Sequence, residues 1–154
     1  MGAIDYAIQI LKGNFLDSGN PARAGGAPFE ESWPHALAAD ADGAFSEVPL
    51  AGLDDDFEFV SASIAPSATL TANTVTYFTL SILKYNASGA SGTTVATFDT
   101  STTTITAKTT ADFTNVAGTE LLVDGGYLAL VGTAASVGAS LPTSKLVVRV
   151  RRRS

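Results

Sequence analysis

His35 is the only histidine, and with no cysteine it is the one side chain that titrates near neutral pH. It could act as a general base if a serine stood beside it and a carboxylate behind it. It lies in Ser32-Trp33-Pro34-His35, inside a Gly/Pro-rich stretch, and no Gly-x-Ser-x-Gly turn occurs to present a nucleophile. A surface or interface histidine is the better reading. Asp54-Asp55-Asp56 and the pair Asp40 and Asp42 offer hard oxygen ligands. Their spacing is not that of a calcium loop, and they read as solvated acidic turns. Glu30, Glu31 and Glu58 have no evident partner for two-carboxylate chemistry. The glycines of Ala24-Gly25-Gly26 and Gly89-Ala90-Ser91-Gly92 are followed by no Gly-Lys-Ser/Thr, so they are turn glycines rather than phosphate loops. Asn86-Ala87-Ser88 matches a glycosylation sequon but reads as a turn, not a modification site. The inventory therefore predicts no enzyme, no cofactor and no metal site.

The elements around these residues are strands. Ala68 to Gly89 runs ATLTANTVTYFTLSILKYNASG, with β-branched and aromatic residues in near alternation and a polar turn at each end. Such residues suit a pleated, half-buried strand and suit a helix poorly. From Val75 to Tyr85, Phe78, Leu80 and Ile82 share one face, and Tyr77, Thr79, Ser81 and Leu83 share the other. Further strands are expected at 56–64, 94–100, 102–108, 112–116, 121–123, 127–131 and 145–150, with turns at 86–92 and 124–126. Short strands at this spacing, without crossover helices, predict an all-β antiparallel sandwich.

The 154 residues suffice for one domain with a core of its own. The composition divides the chain into an extended N-terminal arm with few regular elements (1–52), a β-sandwich (53–150) and a basic tail (151–154). Within the first part a short strand is expected near 44–50, and 3–11 fits helix or strand. Its aromatic anchors, Phe15, Phe29 and Trp33, stand in a Gly/Ala/Pro background. They either reach a neighbouring surface or fold back to cap the open end of the same sandwich. The opening lacks a basic n-region and a long apolar core, so no secretory signal is expected, and no apolar run is long enough for a membrane span.

Charge is unevenly placed. Residues 145–154 hold five cations, Lys145, Arg149, Arg151, Arg152 and Arg153, and no acid, while the remainder has four cations against fifteen acids, a net of −11. An acidic body argues against specific nucleic-acid binding. The basic end fits docking onto an acidic partner surface, contact with packaged DNA, or a solvated tail that blunts an edge strand.

The second part of the chain also carries a resemblance. Leu70-Thr71-Ala72-Asn73 with Thr76-Tyr77 and Lys84-Tyr85, then Gly125-Gly126-Tyr127-Leu128, then Leu146-Val147-Val148, resemble the strand-and-turn pattern of small virion proteins of tailed bacteriophages. These are of the head decoration, cement or head-fibre type, and the similarity spans roughly residues 57–150. Asp124-Gly125-Gly126 departs from that pattern, which often has Gly-Asp before the penultimate strand. The resemblance implies a jelly-roll-like sandwich, commonly a homotrimer, on the capsid surface with the major capsid protein as partner and no membrane. A head-fibre or tail module that recognises glycans is the alternative it leaves open.

Overall fold

In a computed structural model of the chain, the structure describes residues 29–41, 44–90, 92–135 and 140–153. They form ten strands and no helix: β1 Glu30–Leu37, β2 Phe45–Gly52, β3 Phe57–Pro66, β4 Phe78–Tyr85, β5 Thr93–Asp99, β6 Ala111–Asp112, β7 Thr114–Asn115, β8 Leu121–Leu122, β9 Tyr127–Ala134 and β10 Ser144–Arg152. One sheet, A, has the order β1-β10-β3-β6, with β8 also on β3; the other, B, has the order β2-β9-β4-β5-β7.

All pairings are antiparallel, and they nest. The first strand pairs with the last, β2 pairs with β9, β3 pairs with β6 and β8, and β4 turns back directly on β5. This is a long hairpin ribbon rolled into two sheets, the jelly-roll arrangement of an antiparallel sandwich.

β4 shows why this sequence folds this way. Phe78, Leu80 and Ile82 are almost fully buried, while Thr79, Ser81 and Leu83 between them are half-buried. Facing them from sheet A are Phe59, Ile64, Leu146, Val148 and Val150, and together they fill the core. The strand begins at Phe78 rather than Val75 because Asn73 Oδ1 accepts from the amides of Val75 (2.8 Å) and Thr76 (3.0 Å), holding an Asx turn. It ends where Asn86 Oδ1 accepts from Ser88 N and Gly89 N donates to Asn86 O, with Gly89 at φ 68°. That left-handed conformation favours glycine.

Three expectations are corrected. Residues 102–108 form only an isolated bridge, Leu70 to Ile105. Thr104 Oγ1 accepts from Ala72 N and Thr69 Oγ1 accepts from Ala107 N, so hydroxyls take up amides that a ladder would have paired. The arm assigned to 1–52 contains β1 and β2, each eight residues long and hydrogen-bonded into its sheet. Both are edge strands, the position where Pro34 and Pro49 are tolerated because an edge amide need not donate. The tail assigned to 151–154 likewise begins late, since Arg151 and Arg152 still belong to β10.

Candidate functional site

The two long sides of the sandwich are built differently. On one side residues 111–122 pass from sheet A to sheet B and back, through β6, β7 and β8. Phe113 is buried there against Phe98, ring centroids 5.5 Å apart, and Asn115 Nδ2 donates to Val60 O at 2.8 Å. On the other side the edge strands β1 and β2 face each other with no strand between them among the described residues. A cleft of about 800 Å³ opens there, walled by Trp33, Leu50, Leu53 and Phe57 and rimmed by Glu31, His35, Asp54 and Arg152. A smaller depression continues along the same side, past Leu37, Phe45 and Leu141.

Alternation along β1 aims its side chains. Glu31, Trp33, His35 and Leu37 point inward, while Glu30, Ser32, Pro34 and Ala36 are exposed. Trp33 packs edge-on against Phe57 with centroids 5.2 Å apart, and its Nε1 donates to Glu31 Oε2 at 3.3 Å. The buried His35 Nε2 makes no hydrogen bond among the described residues. Burial pushes its pKa below the usual histidine value, because the charged form is the one that desolvation disfavours. Arg152 closes the end of the cleft. Its guanidinium sits 5.9 Å from the Phe57 ring centre, a cation–π distance, and its Nε lies 2.7 Å from Asp55 Oδ2. That last contact joins charge to charge without the geometry of a hydrogen bond.

The residues singled out from the sequence are therefore divided among several places. Trp33 folds back onto its own sandwich and lines the cleft. Phe29 is 53% exposed just before β1, with its carbonyl accepting from Arg152 N. Phe15 lies outside the described residues. Arg149, Arg151 and Arg152 do not form one basic end. Arg149 projects from the outer face of sheet A between Ser32 and Ser61. Arg151 is ion-paired to Glu30 (2.9 Å) and Glu58 (3.5 Å) on the strands either side, and the hydrogen bond to Glu30 raises its already high pKa. Arg153 donates its amide to Asp56 O. Among the described residues no group of three or more histidines and carboxylates is placed to share a metal ion.

A second cluster brings together residues that stand far apart in the sequence. Tyr85 and Tyr127 are register partners on β4 and β9 and stack with centroids 4.5 Å apart and planes within 6°. Their hydroxyls donate to the two oxygens of one carboxylate, Glu47 on β2, at 2.5 and 2.8 Å. That hydrogen bond, chiefly, pushes the Tyr85 pKa up to about 12 and raises that of Tyr127. Gly92 leaves the room that the Tyr85 ring occupies, and a Cβ at Gly126 would run into the Tyr85 carbonyl oxygen. Tyr127 was visible in the sequence, as was Tyr85; what joins them is the strand register, which is a tertiary fact.

No family model matches the chain, and no curated protein matches it. Among solved structures it is similar to a chain of turnip yellow mosaic virus, at 12% identity and a TM-score of 0.33, covering 83% of this chain and 94% of that one. It is similar also to a chain of desmodium yellow mottle tymovirus, at 12% identity and a TM-score of 0.35, covering 83% and 89%.

Proposed function

We propose that this chain is a structural virion protein, a decoration or cement protein of a tailed-bacteriophage head. On this reading it catalyses nothing and acts on the capsid surface as a homotrimer, binding the major capsid protein across neighbouring capsomers. The observation that carries the reading is the asymmetry of the sandwich. One side is closed by the chain itself, and the other presents a half-buried tryptophan and an apolar wall between two edge strands. Phe29, whose carbonyl accepts from the Arg152 amide, stands beside the Arg152 end of that cleft. The nested jelly roll and the resemblance of residues 57–150 to phage head proteins support the same assignment. Cementing needs no strong single contact, because many copies on one shell sum modest apolar burial into a large total. The test is a truncation that removes 1–28 and spares β1. The shortened protein is expected to keep its melting transition and lose binding to expanded heads in a co-sedimentation assay. Undiminished binding would sink the role given to the first 28 residues.

The stacked pair Tyr85 and Tyr127 favours a second reading, a head-fibre or tail-associated module recognising surface glycans. Aromatic rings whose hydroxyls are held by one carboxylate form a stable platform for a sugar ring. Glycan-array binding that disappears in Tyr127→Ala would favour it over the cement role; a blank array would dismiss it.

A further inference from the structure

The outer face of sheet A carries two features at opposite ends that complement each other. At one end a groove of about 600 Å³ has an apolar floor of Pro34, Ala36, Ala65 and Pro66, with Lys108 and Lys145 at its rim. Neither lysine forms an ion pair among the described residues. Lys108 is held at φ 63°, the one non-glycine with positive φ among the described residues, and its amide donates to Pro66 O at 2.7 Å. A lysine in this region is uncommon and costs backbone energy, so the fold itself sets it over the groove.

At the other end, β8 and the turn after it make a knob. Leu121 pairs with Glu58 and so stands on the same outer face; it is 43% exposed, and Val123 is 51% exposed. Asp124 follows, also exposed. The knob is braced: Lys84 Nζ donates to Leu121 O (2.8 Å), Asp124 N donates to Asp56 Oδ1 (2.9 Å), and Gly125 turns the chain at φ 75°. Exposed aliphatic residues rimmed by acid mark a contact surface better than scattered ones do.

We propose that the Leu121–Asp124 knob of one copy seats in the Pro34/Pro66 groove of a second copy, with Asp124 between Lys108 and Lys145. The knob matches the groove twice, apolar to apolar and acid to base. The cations of the groove also stand out on a chain whose remainder is acidic. The register places Glu58 and Lys145 toward opposite ends of β3 and β10, so one molecule cannot satisfy its own groove. A two-fold axis would make the contact reciprocal and a three-fold axis sequential; in both, every knob and groove is used once. Both elements are preformed, which spares the ordering cost that weakens flexible contacts.

The test uses the full chain and no capsid, so the knob-and-groove contact can fail while binding to heads, read separately by co-sedimentation, survives. Light scattering over a concentration series is expected to show self-association that weakens as salt rises. Asp124→Lys and Lys145→Glu, each with an unchanged circular-dichroism spectrum, are each expected to weaken it by about tenfold or more, as reversing an interfacial charge does. The two substitutions together in one chain restore the opposite-sign pair at position 145 and are expected to recover part of the association, the rest being held back by the unchanged Lys108. A wild-type chain that stays monomeric at its highest soluble concentration overturns the proposal. So does an oligomer that neither substitution disturbs, or a double variant as weak as the singles.

Discussion

The side of the sandwich closed by residues 111–122 and the side left open between β1 and β2 solve one problem in opposite ways. Each sheet ends in edge strands, and the space between two edges must be filled or left wet. On the closed side the chain spends twelve residues weaving between sheets, puts Phe113 into the core, and ties Asn115 across to Val60 O. On the open side it leaves Trp33 and His35 partly exposed and blunts the strands with Pro34 and Pro49. Proline at an edge discourages indiscriminate strand pairing without hiding the apolar wall behind it. The closed side is thus packed for stability, and on the proposed reading the open side keeps an apolar wall available for a partner.

Truncating the closed side has the largest expected effect. Phe113 is 6% exposed and meets Phe98, so Phe113→Ala should cost about 3–5 kcal/mol in urea-melt stability through lost burial and the cavity left behind. Partner binding, measured below the melt, should hardly change. On the open side the ranking reverses. Trp33→Ala removes a half-buried ring and should cost roughly 2 kcal/mol, less than Phe113, while abolishing most binding to heads. If Phe113→Ala were the milder of the two in the melt, the division between the sides would fail.

How much of this was legible in the sequence differs between the sides as well. β4 could be read because a period of two survives along it and because Asn73, Asn86 and Gly89 code the turns that bound it, and β9 because it follows the Asp124-Gly125-Gly126 turn. β1 carries the same signal, with Glu31, Trp33, His35 and Leu37 at every second position. It was hidden by Pro34 and by the Gly/Ala/Pro background that precedes it, which together suggested an arm. The two-residue strands β6, β7 and β8 have no period to read; their pairing comes from where β3 and β5 present free edges. The Arg151 pairing with Glu30 and Glu58 was equally out of reach, because it needs the register of three strands that are distant in the chain.

Alkaline titration probes the outer face of the sheet that β2 borders. Tyr85 keeps its proton up to about pH 12, whereas an unfolded tyrosine loses it near pH 10. The folded state then holds more protons than the unfolded one in that interval. Stability contributed by this group is complete below about pH 10 and falls as pH rises toward 12. Absorbance at a tyrosinate wavelength should show Tyr85 and Tyr127 titrating late. Glu47→Gln should bring both back toward the ordinary value, since Glu47 is their shared acceptor. Unshifted titration in that variant would mean that the carboxylate does not hold the pair.

The smallest effect tests how dry the open side is. His35 gives the only histidine imidazole resonance of the protein, so its proton NMR shift can be followed against pH without ambiguity. Burial lowers its pKa, which means that the unfolded chain takes up the proton first as pH falls. Stability from this group is therefore complete above about pH 6.5 and declines below it. The midpoint should lie below the ordinary value in the free protein. It should fall further when a partner covers the cleft, because added desolvation disfavours the imidazolium more. A midpoint at or above 6.5 would mean that the His35 end of the cleft is wet or supplies a negative partner, and the contrast with the packed closed side would then be one of degree only.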